Sequence, residues 1–251
     1  MGINEDLRSF INKHKVEKGK PYTNTSIGSP KVSLYIPEES YEKFINLYSL
    51  ALTSGMALHF TEKPTEPSPL RVDLDFRFTI PDDKSGIYSS HNSNSSLNDK
   101  RVYDRVYTSE NIFRIVDAYF KIISSFLDVK EKNAIAYVME KPNPVEFRNK
   151  LKDGIHIVFP HIIVKNNTQH FIRRKILDMA PDIFKDLPIC NDYESIVDKA
   201  IIDVNCWQMY GSRKPDCDVY RVSYIYNYNN GVTNRIDFKS NASDEIKYIQ
   251  L

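Results

Sequence analysis

Residues 70–80, Leu-Arg-Val-Asp-Leu-Asp-Phe-Arg-Phe-Thr-Ile, alternate apolar and charged side chains almost without exception. A repeat of two residues belongs to a β-strand, whose successive side chains point to opposite sides of the sheet. One side of this strand, Leu70, Val72, Leu74, Phe76 and Phe78, is therefore expected in a core. The other side carries Arg71, Asp73, Asp75 and Arg77, and must face solvent or a polar site.

Around this strand, helical and strand patterns mix in irregular order. Tyr41, Phe44, Ile45, Leu47 and Tyr48 recur near helical period and stop at Gly55. Ser109 looks like the N-cap of a second amphipathic helix that runs to Phe126-Leu127, and Thr168 to Met179 reads as a basic helix halted by Pro181. Met56–Phe60, Ala134–Met139, Ile155–Phe159 and Tyr220–Tyr228 read as strands, the last followed by an Asn229-Asn230-Gly231 turn and a hairpin arm. Such an order predicts one α+β domain over residues 31–251. Residues 1–30 hold a possible short helix from Glu5 to Lys15 and then read as a flexible lead-in, and the Ser- and Asn-rich stretch 85–100 as a mobile loop.

Bulk composition excludes little. A net charge of +1 does not by itself argue for nucleic acid, yet local basic runs at 148–152, 173–175 and 213–214 supply the positive field that phosphates need. Each run, taken singly, reads more readily as a solvated surface. Three cysteines, Cys190, Cys206 and Cys217, include no C-x-x-C pair, so a structural zinc site is not expected, and the odd count suits a reducing cytoplasmic or nuclear compartment. No apolar run approaches the roughly 20 residues that span a bilayer, and no membrane association is expected.

Three constellations could carry chemistry. Asp73 and Asp75 project from one strand face, close enough to repel, and adjacent carboxylates are commonly neutralised by a cation. Oxygen-only ligands suit Mg²⁺ or Mn²⁺; the alternative is a solvated face on which Arg71 and Arg77 partner the acids. In Asp153-Gly-Ile-His-Ile-Val-Phe-Pro160 a glycine turn feeds a strand whose His156 could donate to a phosphate oxygen or could be structural. His161 lies beyond Pro160, which is expected to interrupt the strand, and the two imidazoles do not form a metal pair. Finally, Asp198 precedes Ile201-Ile202, and Gly211-Ser212-Arg213-Lys214 offers a hydroxyl and two cations to a triphosphate, or forms a basic surface turn. The Walker A spacing is absent.

In this order, Leu70-Arg-Val-Asp-Leu-Asp-Phe76, Gly154-Ile-His156 and Asp198 through Lys214 resemble the motifs of the archaeo-eukaryotic primase (AEP) superfamily. The segment Met-Tyr-Gly-Ser-Arg-Lys-Pro215 is most similar to the primase domains of large-DNA-virus primase-helicases, with the PrimPol enzymes more distant. The resemblance implies an RRM-like catalytic sheet packed against an N-terminal α/β unit. It implies that Asp73, Asp75 and Asp198 are catalytic acids holding two Mg²⁺ or Mn²⁺ ions, and that His156, Ser212 and Lys214, with Arg213, hold the incoming NTP or dNTP. Asp198 rather than Asp203 fits the family pattern, because Ile201-Ile202 and Asn205 follow it at the expected spacing. Gln208 stands near a position where PrimPol relatives carry Arg, and Arg213 could supply that contact.

The implied activity is a primase-polymerase reading a single-stranded DNA template, with a helicase in the same or another chain. Arg148, Lys152, Arg173 and Arg174 are the candidates for template backbone contacts, with Lys150 and Lys175 beside them. Two other readings use the same residues. A metal-dependent nuclease would cut DNA without triphosphates, and a non-catalytic module would only dock DNA or a helicase.

Overall fold

The computed structural model describes residues 3–29, 31–80, 103–238 and 248–249. The first part of the chain runs α1 (Ile3–His14), β1 (Lys15–Val16), β2 (Asn24–Ser26), β3 (Val32–Leu34), α2 (Glu38–Thr53), β4 (Phe60–Glu62) and β5 (Ser68–Phe78). After it come α3 (Ser109–Ser124), a 3-10 turn, β6 (Ile135–Glu140), β7 (Val145–Phe147), β8 (Lys150–Val164) and α4 (Asn166–Ile183). The last part is α5 (Tyr193–Ile196), α6 (Ala200–Asp203), β9 (Trp207–Gln208), β10 (Arg221–Asn229) and β11 (Val232–Ile236). Strands and helices mix as an α+β fold, and among the described residues no helix is long and apolar enough to cross a membrane.

Two antiparallel sheets organise the molecule. The larger has the order β11-β10-β6-β8-β5, with β7 also paired to β8, and the smaller the order β1-β3-β2-β4-β9. The alternation read at residues 70–78 is what the larger sheet uses. Leu70, Val72, Leu74, Phe76 and Phe78 are buried in one core with Ile155, Ile157 and Phe159 of β8 and with the apolar faces of α3 and α4. Burial of these side chains drives the layer together, each contributing on the order of 1.5–3 kcal/mol. The other face of the same sheet divides. Its Met139, Val158, Val222 and Ile225 pack into a second core with Phe44, Tyr48 and Phe60 of the smaller unit. The remaining part of that face holds Asp73, Asp75 and His156.

Several expectations need correction. The lead-in is not loose: Leu7 and Phe10 of α1 are buried in the second core, and β2, whose Asn24 is fully buried, lies between β3 and β4. Its apolar residues are too few and scattered to show a periodicity, but the sheet supplies their partners. Pro160 does not end its strand. β8 continues to Val164, and three extra residues between Phe159 and Ile163 are absorbed opposite Leu70 and Pro69, where a bulge removes the need for a ladder N–H. Pro181 lies inside the last turn of α4, which ends at Ile183, and the N-cap of α3 is Thr108, which forms a capping box with Asn111. Residues 85–100 lie outside the described residues.

Candidate active site

The site is built on the edge strand β5. Asp73 and Asp75 sit two residues apart on its open face, opposite His156 and Gly154 of β8. The third acid arrives from a segment that runs along the free edge of β5. Asn191 receives the Arg77 N–H and donates to the Asp75 carbonyl, both at 2.9 Å, and Val197 bridges to Leu74. The Asp198 N–H then donates to the Asp73 carbonyl at 3.0 Å. Asp198 Oδ1 accepts the Ala200 N–H at 2.9 Å, and the chain turns into α6. Arg173 of α4 fixes the approach: its Nε donates to the Val197 carbonyl at 2.7 Å, and its Nη2 donates to the Glu194 carboxylate at 2.6 Å. A residue expected on template phosphates is therefore engaged in holding the backbone beside Asp198.

Asp203 lies elsewhere. It ends α6 and meets His170 at 2.7 Å and Asn166 at 3.5 Å. The helical turn α6 between them carries Asp203 away from Asp198.

Electrostatics single out Asp73. Burial pushes its carboxyl up to about 7, and the negative charges of Asp75 and Asp198 add to that, against the pull of Lys214 and Lys152. Arg71 does not relieve it: the guanidinium turns to Ser68 at 3.3 Å and to the Trp207 ring. Among the described residues neither Arg71 nor Arg77 forms an ion pair with Asp73 or Asp75; Asp75 is met by Lys152 at 3.1 Å. No three acidic, His or Cys side chains among the described residues converge as a ready-made metal cage. The donor set is nonetheless all oxygen and mutually repelling, the chemistry that a hard divalent cation relieves.

His156 faces the acids from β8. Its Nε2 is 3.6 Å from Asp73 Oδ1, beyond a good hydrogen bond. Burial, aided by Lys141 and Lys214, lowers its pKa to about 3, so the imidazole is neutral and donates or accepts without carrying charge. The ring stacks on Tyr220 at 3.7 Å and leans on Trp207 at 4.8 Å. Gly154 makes this stack possible. A Cβ there would lie 2.7 Å from the Tyr220 hydroxyl and 3.1 Å from the Leu74 carbonyl, which gives the small residue two before the His a steric cause.

The basic turn comes from the smaller unit. β9 pairs with β4, Ser212 bridges to Leu58, and Arg213 N–H donates to the Leu58 carbonyl at 2.9 Å. Gly211 takes φ +81, a conformation that a side chain would strain. The Ser212 hydroxyl is fully buried, accepting the Phe60 N–H at 2.8 Å and meeting the Tyr48 hydroxyl at 2.9 Å, and so anchors the turn from beneath. Gln208 donates across the turn to the Ser212 carbonyl. Arg213 is half-buried, while Lys214 is exposed and near enough to influence both Asp73 and His156. Arg148 lies at the exposed tip of the β7–β8 hairpin, and Arg174 is exposed on α4.

Residues 23–226 match the protein family described as "C962R protein N-terminal AEP domain". The chain belongs to the AEP family. It is 31% identical over 229 residues, 88% of its own length, to "Putative helicase L207/L206" of Acanthamoeba polyphaga mimivirus. It is 29% identical over 223 residues to "Putative helicase 184R" of Invertebrate iridescent virus 6, and 27% over 215 residues to "Putative helicase 121R" of Invertebrate iridescent virus 3, each match covering 83% of the chain. The alignments take in only 22%, 22% and 21% of those proteins. This AEP domain thus spans about a fifth of the length of the curated relatives it matches.

Three side chains beside the candidate site were not singled out from sequence. Lys141 places its ammonium over the Tyr220 ring at 4.9 Å, and burial lowers its pKa, with Lys214 and Lys152 adding to the effect. Tyr220 carries the stack on His156, and Trp207 closes it from the other side. None sits in a local pattern with the acids; only the sheet pairing brings them in. Arg105 is a fourth, half-buried, where it joins the buried Asp153 at 2.8 Å and the buried Glu140 at 2.6 Å.

Proposed function

We propose that this AEP domain is a primase-polymerase, a nucleotidyltransferase that starts and extends chains on single-stranded DNA. The observation that carries the reading is the juxtaposition of Asp73, Asp75 and an Asp198 tied to the Asp73 backbone with three lysines, Lys141, Lys152 and Lys214, around a neutral His156. Acids for cations stand beside cations for phosphates. The larger sheet with α3 and α4 is taken as the RRM-like catalytic layer, and the smaller unit as its N-terminal α/β partner.

The three acids would hold Mg²⁺ or Mn²⁺. When bound, two such ions lower the pKa of the attacking hydroxyl and neutralise the departing pyrophosphate. The chain's own residues do the rest. Lys214 and Lys141 oppose the growing charge on the triphosphate, and Lys152 moves between Asp75 and that charge. His156, uncharged, offers one ring N–H to a phosphate oxygen while Tyr220 and Trp207 fix its plane. The anchored Ser212 keeps Arg213 and Lys214 at a fixed height above the acids. The relatives named as helicases support a role beside a helicase in viral DNA replication, in the same polypeptide or in trans.

Incubation with unprimed single-stranded DNA, Mn²⁺ or Mg²⁺ and labelled triphosphates should yield short products. Asp73→Ala with Asp75→Ala should abolish them while the far-UV spectrum is retained. Wild-type yield from that double variant would reject the assignment. DNA cleavage in the absence of triphosphates would instead make the domain a nuclease.

A further inference from the structure

The charged track of the catalytic face does not stop at Asp75. Cross-strand partners share a face, so the registers Asp73↔His156, Asp75↔Gly154 and Arg77↔Lys152 continue into Val145↔Lys152 and Phe147↔Lys150. Val145, Phe147, Lys150 and Lys152 therefore lie on the same side of the sheet as the acids. The opposite side takes Glu146, bonded to Tyr103, and the buried Leu151. Phe147 is 47% exposed and Val145 45% exposed on this short strand. The Arg148 guanidinium lies over the Phe147 ring, 5.0 Å from its centroid. Arg148 and Asn149 both take positive φ, at 51° and 57°, the two-residue turn that matches strand twist and makes the hairpin a stiff projection. From Gly154 to Lys150 the track is roughly 13 Å long, at about 3.3 Å per residue.

An exposed aromatic face capped by a guanidinium, with lysines leading from it to a phosphate-transfer site, is the surface that a single-stranded nucleic acid fits. Bases stack on the ring whatever their sequence, and the backbone follows the positive charge. A protein partner would find an apolar area of only two side chains, ringed by Arg148, Lys150 and Lys152. We propose that the β7–β8 hairpin, through Phe147 and Arg148, is a stacking platform that seats one base of the single-stranded template on the sheet face that carries the catalytic acids, further along the same track. The proposal rests on the polymerase reading of the same face and adds a residue, Phe147, that contributes no charge and no catalysis.

The test is fluorescence anisotropy of a labelled oligo-dT with the intact chain, without triphosphates, over a range of salt. Phe147→Ala should weaken binding by at least about five-fold, as loss of one stacked base does. Phe147→Trp should retain affinity, with its new indole emission quenched on binding. Arg148→Ala should lower the salt dependence by roughly one phosphate contact. Val232→Ala, exposed on the far hairpin, is the control and should bind as wild type. Wild-type affinity in Phe147→Ala, or no binding of oligo-dT by the wild type, would overturn the proposal. Phe147-dependent binding by a chain that joins no nucleotides would keep the platform and reject the polymerase. Primed synthesis with unaltered Phe147→Ala binding would do the reverse.

Discussion

Asp73 is held at a disadvantage that function would explain. Its carboxyl is buried, flanked by two other acids, and given no arginine of its own. Removing the charge without changing the shape should therefore stabilise the metal-free protein. Asp73→Asn is expected to gain about 1–2 kcal/mol, a rise of roughly 2–8 °C in Tm by calorimetry, while losing nucleotide joining. A lower Tm would mean that Asp73 is satisfied by groups within the chain. Asp73, Asp75, Asp198 and His156, which the fold brings together, could be singled out in the sequence because each motif is local and its residue types are restrictive. Lys141 and Tyr220 were not, since a lysine after a strand and a tyrosine before one carry no signal until β6, β8 and β10 are paired.

Arg173 shows how an element positions a side chain it does not contain. Helix α4 was read correctly as basic, and that basicity was assigned to DNA. In the fold, the strongest donor of the helix points inward to the Val197 carbonyl and to Glu194. Arg173→Ala should leave the carbonyl unpaired and cost about 1–3 kcal/mol in stability. Its diagnostic effect should be a weaker Mn²⁺ affinity by titration calorimetry, because Asp198 follows directly; binding of oligo-dT should change little. A uniform loss of DNA affinity instead would restore the phosphate role. The long strands β5 and β10 were readable from alternation. Strands of two or three residues, such as β1, β2 and β9, have no period to read, and a bulge like that at Pro160 is set by the partner strand.

Across the whole molecule, the site joins two separate cores. Asp73, Asp75 and His156 stand on the larger sheet with Asp198 tied to its edge, while the Gly211–Lys214 turn hangs from the smaller one through β9, Leu58 and the buried Ser212. Tyr48 of α2 ties the Ser212 hydroxyl and the Tyr210 carbonyl, the latter at 2.7 Å. Tyr48→Phe should cost about 1–2 kcal/mol and raise the apparent KM for triphosphates several-fold, with Mn²⁺ affinity unchanged. Equal KM values would show that the turn keeps its place without that bond. The α+β class was foreseeable from the mixture of patterns. The partition into two cores was not, because β9 returns across about 145 residues to pair with β4, and no local pattern encodes that return.

The β4–β9 pairing also decides where this chain can be shortened. Trimming from the N-terminus would first strip α1 and the three small strands, then α2 with its Tyr48, and finally β4. Each cut removes support from residues 211–214 long before it reaches an acid. A fragment beginning just ahead of Ser68 would keep Asp73, Asp75, His156 and Asp198 in its sequence, and would still have lost the strand from which the Gly211–Lys214 turn hangs.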